Sequence, residues 1–153
     1  MDGVRPVGHK AGWEGGEAVS AEENKALSNR VAQVISEGDL DALDELMAAG
    51  LAEEFKRDVA ELRRAFPDYA GTNVEQIAEG EKVANRFVFL GTHLGEFEGV
   101  SPTGRRVEFT GNSIDRVVGG RIVESWVEID MLGVMRQLGT VLGPGRSEEG
   151  SRG

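Results

Sequence analysis

The chain lacks cysteine throughout its 153 residues, which excludes disulfides, thiolate nucleophiles, zinc ribbons and cysteine-bound iron–sulfur clusters. Histidine is scarce: only His9 and His93 occur, too far apart for a local ligand pair, and no HExxH-type helix motif is present. No structural or catalytic transition metal is expected. Positive charge is also in short supply, with 17 Lys and Arg against 27 Asp and Glu and a formal charge of −10. Contact with phosphate backbones or anionic membranes needs a basic surface, so neither nucleic acid nor membrane is an expected partner. No apolar run approaches the roughly 18 residues of a membrane span, and the first residues lack the apolar core of a signal peptide. A cytoplasmic location is therefore expected.

What is present suits one domain, since single domains commonly run roughly 100–200 residues. Of the 22 glycines, five fall in residues 1–20 and four in residues 141–153. Neither end shows hydrophobic periodicity, so both are expected to be flexible tails, leaving a domain at 21–140. That domain holds 22 acids and 13 bases, so the negative surplus belongs to its surface. Trp13 stands alone in the first tail, an incidental residue or a weak docking anchor.

Ser20-Ala21-Glu22-Glu23 fits a capping box, and Leu27, Val31, Val34 and Ile35 follow at helical spacing up to Gly38. Asp39 is placed to cap a short second helix with Leu40, Leu43, Leu46 and Met47 turned inward and Gly50 ending it. Leu51, Phe55, Val59, Leu62 and Phe66 form one stripe that Pro67 stops, so helices two and three are nearly continuous. The period then changes to two. Thr72–Glu79 alternates weakly, and Val83–Phe97, Arg106–Val118 and Arg121–Asp130 read as strands. Gly80 marks a tight connection, Pro102-Thr103-Gly104 a turn, and Gly119-Gly120 a two-residue hairpin. Met131, Leu132, Met135 and Leu138 suggest a closing helix. The pattern predicts an α+β domain in which N-terminal helices pack on a curved antiparallel sheet.

The last strand sorts into Val123, Ser125, Val127 and Ile129 at odd positions, and Ile122, Glu124, Trp126, Glu128 and Asp130 at even ones. A sheet with one wet face shows a cleaner alternation. The expectation is that the aliphatic odd face meets a second copy while the Trp-and-carboxylate face lines a concave pocket.

Several fragments together resemble the SnoaL-like polyketide (ester) cyclases: Gly91-Thr92-His93-Leu94-Gly95-Glu96-Phe97, Pro102-Thr103-Gly104-Arg105-Arg106-Val107, Gly120-Arg121-Ile122-Val123-Glu124-Ser125-Trp126, Asp130-Met131-Leu132-Gly133 and Gln137-Leu138-Gly139. Glu37-Gly38-Asp39-Leu40-Asp41-Ala42-Leu43 and Ala65-Phe66-Pro67-Asp68 agree, in the same order, over most of residues 24–139. The resemblance implies a nuclear transport factor 2-like cone, usually homodimeric, around a pocket for an apolar, carbonyl-rich small molecule. It also implies intramolecular aldol-type ring closure without metal or organic cofactor, driven by a carboxylate acid/base. By the matched tryptophan-to-aspartate segment that carboxylate falls on Asp130, which equally suits a helix cap. Glu128 is the substitute, or else a solvated or Arg-paired carboxylate. His93 is placed to hydrogen-bond a carbonyl or relay a proton, or to serve structure alone. Trp126 and Phe89 are the expected substrate-binding walls and Arg116 the residue that orients a carboxylate, against plain core or surface roles.

The chain departs from the family at Met47-Ala48-Ala49-Gly50-Leu51-Ala52-Glu53-Glu54-Phe55, where an additional loop and strand are usual. The deletion is expected to leave one pocket wall and some substrate-binding groups absent or supplied by another element, and to leave a sheet edge open, which favours association. Ser125 also stands where a histidine is common, removing one polar partner. The alternatives to a cyclase are a noncatalytic small-molecule-binding or dimerising protein of the same fold, or isomerase or epoxide hydrolase chemistry on it.

Overall fold

The computed structural model describes residues 17–141, with side chains from residue 21 onward; the expected tails, apart from residues 17–20 and Val141, and Trp13 lie outside the described residues. Helix α1 spans Glu17–Glu37, a 3-10 turn covers Leu40–Ala42, and short α2 (Leu43–Leu46) leads into α3 (Ala49–Ala65). Strands β1 (Ala70–Glu79), β2 (Lys82–Thr92), β3 (Arg106–Val118) and β4 (Arg121–Ile129) follow, and α4 (Met131–Gln137) closes the domain. The sheet is an antiparallel meander in the order β1-β2-β3-β4. Helix α1 packs along β1, and the core between helices and sheet is built on Val34, Leu43, Phe66, Phe109 and Ile122, all fully buried. None of the described helices is long and apolar enough to cross a membrane. This is the α+β arrangement the sequence pattern predicts.

The helical stripes fall where expected, with three differences at their ends. Helix α1 starts at Glu17, so Ser20 lies inside it rather than at its cap; Glu17 and Ala18 are helix formers that extend it backward. Asp39 occupies the cap position of the 3-10 turn, but its side chain makes no capping bond. Gly50 lies in the first turn of α3 and ends nothing. The break between α2 and α3 is Met47, whose extended backbone forms a parallel bridge with Ile122, while Ala48 N–H donates to Ile122 O at 2.9 Å. A single extended residue thus covers the start of the β4 edge expected to be bare.

Strand β2 ends at Thr92, not Phe97. There the chain turns away from the sheet: Asp68 takes the Thr92 amide at 2.6 Å, and the Leu94 and Gly95 amides both donate to Ala65 O at the end of α3. The Ala65 carbonyl would otherwise be orphaned at the end of α3. The two hairpins form at Gly80-Glu81 and at Gly119-Gly120, the latter with positive φ at both residues as a two-residue turn requires.

Two bulges set which side chains face inward. Asn73 and Glu75 pair with the adjacent residues Phe87 and Arg86, so Val74 is an extra residue in β1. Ile122 and Glu124 pair with the adjacent Val117 and Arg116, so Val123 is an extra residue in β4. Each insertion inverts the alternation beyond it. Ile122 faces the core, and after Val123 the inward positions become Ser125, Val127 and Ile129. The expected faces of the last strand are therefore exchanged: its odd positions line the interior, while Glu124, Trp126 and Glu128 lie on the outer face.

Candidate active site

Between α1, α3 and the inner face of the sheet lies a cavity of about 190 Å³. Its walls are mainly apolar: Val31, Ala32 and Ile35 from α1, Phe55, Val59 and Leu62 from α3, Met47, Tyr69, and Phe87, Phe89, Val127 and Ile129 from the sheet. The helix periodicity and the inward parity of β2 and β4 deliver these side chains together. Met47 and Phe55 belong to the segment expected to leave a wall missing; here α3 and the extended Met47 between α2 and α3 supply that wall.

Polar groups gather at one end. Asp115 on β3 is 6% exposed, and its carboxylate receives three hydrogen bonds: Ser28 Oγ to Oδ2 at 2.7 Å, Asn85 Nδ2 to Oδ2 at 2.9 Å, and Ser125 Oγ to Oδ1 at 2.6 Å. A buried charge without such donors carries a large desolvation penalty. The donors are all neutral, and the lining contains no Lys, Arg or His; Asp58 is its other ionisable acid. Asn85 is itself held in one orientation, because Gln76 Nε2 donates to its Oδ1 at 2.8 Å and so turns Nδ2 toward Asp115 and Ser113. Ser125, where a lost partner was expected, is a direct ligand of the carboxylate.

Tyr69 occupies another part of the same wall. Its ring stacks on Phe89 at 4.8 Å between centroids and meets Phe109 edge-on at 5.2 Å. Burial pushes the Tyr69 phenol well above its usual range, so it holds its proton.

Of the six site residues expected from the sequence, the structure brings Phe89 to the cavity. Asp130 is exposed and caps α4, its Oδ1 accepting the Gly133 amide at 2.8 Å. Glu128 is exposed on the outer face opposite Asn112. Trp126 is half exposed on that face with Lys82 Nζ 5.6 Å from its ring centroid. Arg116 is paired there with Glu124 at 2.6 Å and Glu81 at 3.3 Å. His93 is fully buried but away from the cavity: its Nδ1 accepts the Thr103 amide at 3.1 Å, and its ring stacks on Phe66. The Trp-and-carboxylate pocket wall is thereby corrected, and the Val123 bulge is the cause.

The sequence did carry one signal for Asp115. In β3 the inward positions run Val107, Phe109, Gly111, Ser113, Asp115, Val117, so a carboxylate sits in phase with the core. No three His, Asp or Glu side chains cluster as metal ligands among the described residues.

A protein-family model described as SnoaL-like polyketide cyclase matches residues 25–138. The candidate polyketide cyclase IdmH from Streptomyces antibioticus is 32% identical and superposes with a TM-score of 0.70, covering 76% of this chain and 98% of its own. The candidate hydroxylase AclR from Streptomyces galilaeus is 28% identical with a TM-score of 0.74, covering 80% and 89%. TsrD from Streptomyces laurentii, 24% identical with a TM-score of 0.73 over 78% and 97%, shares the fold. No curated protein matches the sequence.

Proposed function

The chain belongs to the SnoaL-like polyketide cyclase family, and on that premise we propose that it is a cofactor-independent acid/base enzyme with Asp115 as the proton-transferring group. The reaction is ring closure in a carbonyl-rich small molecule. The observation that carries this reading is a buried carboxylate facing an apolar cavity, held by three neutral donors and no cation. No cation in the lining competes with the substrate for this carboxylate. Asp130, the residue expected from the family pattern, is engaged with the Gly133 amide instead.

The chemistry needs few parts. Asp115 removes a proton from a carbon acidified by a neighbouring carbonyl, the resulting enolate attacks a second carbonyl to form the ring bond, and the proton returns to the new alkoxide. Apolar walls exclude water and hold the chain folded for attack. Positioned acid/base groups contribute about 10²–10⁴-fold. Incubation of the wild type and Asp115→Asn with a linear polyketide ester, followed by mass spectrometry, should show ring closure at least about 10²-fold slower in the variant. Equal rates would remove Asp115 from the mechanism, and binding without turnover by the wild type would favour a noncatalytic binding protein.

A homodimer is the second part of the proposal. On the outer face Ile77, Ala84, Ile114 and Trp126 are paired in register across all four strands, and all are exposed. The flanking row Glu79, Lys82, Arg116, Glu124 carries acids at its ends and bases at its centre. An apolar row bordered by such charges complements a second copy of itself.

A further inference from the structure

Asp115 ends a longer chain of side-chain amides, most of which the acid/base reading does not use. Asn73 Nδ2 donates to Asn29 Oδ1 at 3.0 Å, Asn29 Nδ2 to Gln76 Oε1 at 2.9 Å, Gln76 Nε2 to Asn85 Oδ1 at 2.8 Å, and Asn85 Nδ2 to Asp115 Oδ2 at 2.9 Å. Each amide donates toward Asp115. The Val74 bulge makes the chain possible. It puts Asn73 and Gln76 of β1 both on the inner face, paired with the inward Phe87 and Asn85 and within reach of Asn29 on α1.

The polarity of this chain is fixed at both ends. An ionised carboxylate only accepts, so Asn85 must turn Nδ2 to Asp115. At Gln76 the second Nε2 hydrogen goes to Lys25 O in α1 at 3.0 Å, and a backbone carbonyl also only accepts. Turning the Gln76 amide over would set its Oε1 against both Lys25 O and Asn85 Oδ1. The hydroxyls of Ser28 and Ser125, by contrast, can each turn between donating and accepting. Asn85 is thus the one donor on Asp115 whose direction is imposed from elsewhere. A carboxylate offers about four lone-pair sites: Ser28 and Asn85 fill those on Oδ2, and Ser125 fills one on Oδ1. The site left open is on Oδ1. Gln76 and Asn29 do not line the cavity, so ligand contact does not account for them. The Asn29 bonds are exposed, where water competes and little net stability results.

Resting on the acid/base reading above, we propose that Gln76 is a positioning residue for Asp115: through the amide chain it holds the Asn85 N–H on Oδ2 and leaves Oδ1 as the oxygen that receives the substrate proton. In that step the substrate C–H bond breaks, its electron pair stays with the substrate, and an O–H bond forms at Oδ1. The proton later leaves from the same oxygen. Asn85 moves at neither stage, because Oδ2 remains an acceptor throughout. Dipoles fixed in this way cost no reorganisation as charge moves. Gln76 touches no reacting atom and acts only through Asn85.

The test compares Gln76→Glu, which keeps the shape but offers Asn85 an acceptor in place of a donor, with Gln76→Met, which removes both bonds without reversing them. In heteronuclear NMR of the full chain, which needs no substrate, Gln76→Glu should move the Asn85 side-chain amide signals and speed their hydrogen exchange about five- to tenfold, while Gln76→Met leaves that rate within about twofold. With the linear polyketide ester as substrate, Gln76→Glu should lower kcat about 10–10²-fold with KM within about twofold, and Gln76→Met should lower kcat less. Packing alone predicts the opposite order, since Glu has the shape of Gln. Asn29→Asp, on the exposed side of α1 and so safe for the fold, should move the same signals in the same direction by less. Asn85 signals unmoved in Gln76→Glu and Asn29→Asp, or Gln76→Met as slow as Gln76→Glu, would overturn the role of Gln76. A slow Gln76→Glu with unmoved Asn85 signals would show a plain charge effect and overturn it too. Moved signals, with ring closure equal in wild type and Asp115→Asn, would instead remove the acid/base reading and leave the amide chain.

Discussion

Asp115 and Asp68 show how differently two aspartates of one domain are stabilised. Asp115 relies on three neutral donors inside a cavity, whereas exposed Asp68 accepts the Thr92 amide at 2.6 Å and its hydroxyl at 2.7 Å, with Arg106 at 3.9 Å. The Thr92 amide, then its hydroxyl, hold the Asp68 carboxyl below the usual aspartate range. A depressed folded-state value means that the contribution is present above the ordinary range and is lost as pH falls from there through the depressed value. Asp68→Asn should therefore lower the melting temperature at pH 7, and the gap from wild type should close below the ordinary aspartate value of about 3.9, as followed by circular dichroism. A gap that persists at pH 2 would contradict this. At this scale the sequence was only partly legible. The phase of β3 pointed at Asp115, but nothing in the order of residues could show that Asp130 spends its oxygen on Gly133, because a cap and a catalytic acid occupy the same sequence position after a strand.

Helices and hairpins were legible because their signals are periodic or local. The stripe Leu51, Phe55, Val59, Leu62, Phe66 needs only the 3.6-residue repeat, and Gly119-Gly120 needs only two positive φ angles. The bulges were not, since a Val suits a strand whether or not it is the inserted residue, and so leaves no compositional mark while it exchanges two faces. The weak alternation of Thr72–Glu79 has the same origin at Val74. The end of β2 was also hidden, because the partners that draw residues 92–95 off the sheet are Asp68 and Ala65, more than 20 residues upstream. Deleting Val123 should leave Ile122 on Val117 and Glu124 on Arg116 in an unbroken alternation, with Trp126 and Glu128 still outside and Ser125 still on Asp115. A retained cooperative thermal melt is the expected result; its loss would show that the local twist of the bulge is itself required by the fold.

For the molecule as a whole, the outer apolar row makes association the expected state. Light scattering at micromolar concentration should give about twice the chain mass of 16.4 kDa, and Ile114→Lys with Trp126→Lys should give the single-chain mass with the fold intact. A wild-type monomer would remove this face from consideration. The cavity has a second whole-molecule consequence. Its walls come from α1, α3 and the sheet together, so an occupant contacts all three at once. A molecule that binds only the folded form raises stability by about 2.7 kcal/mol at 100 times its dissociation constant, or about 5–11 °C for a domain of this size. A melting curve thus becomes a reporter of what the cavity accepts, and a panel of uncharged ketones, their deoxy counterparts and their carboxylates can be ranked by heat alone, before any product is known.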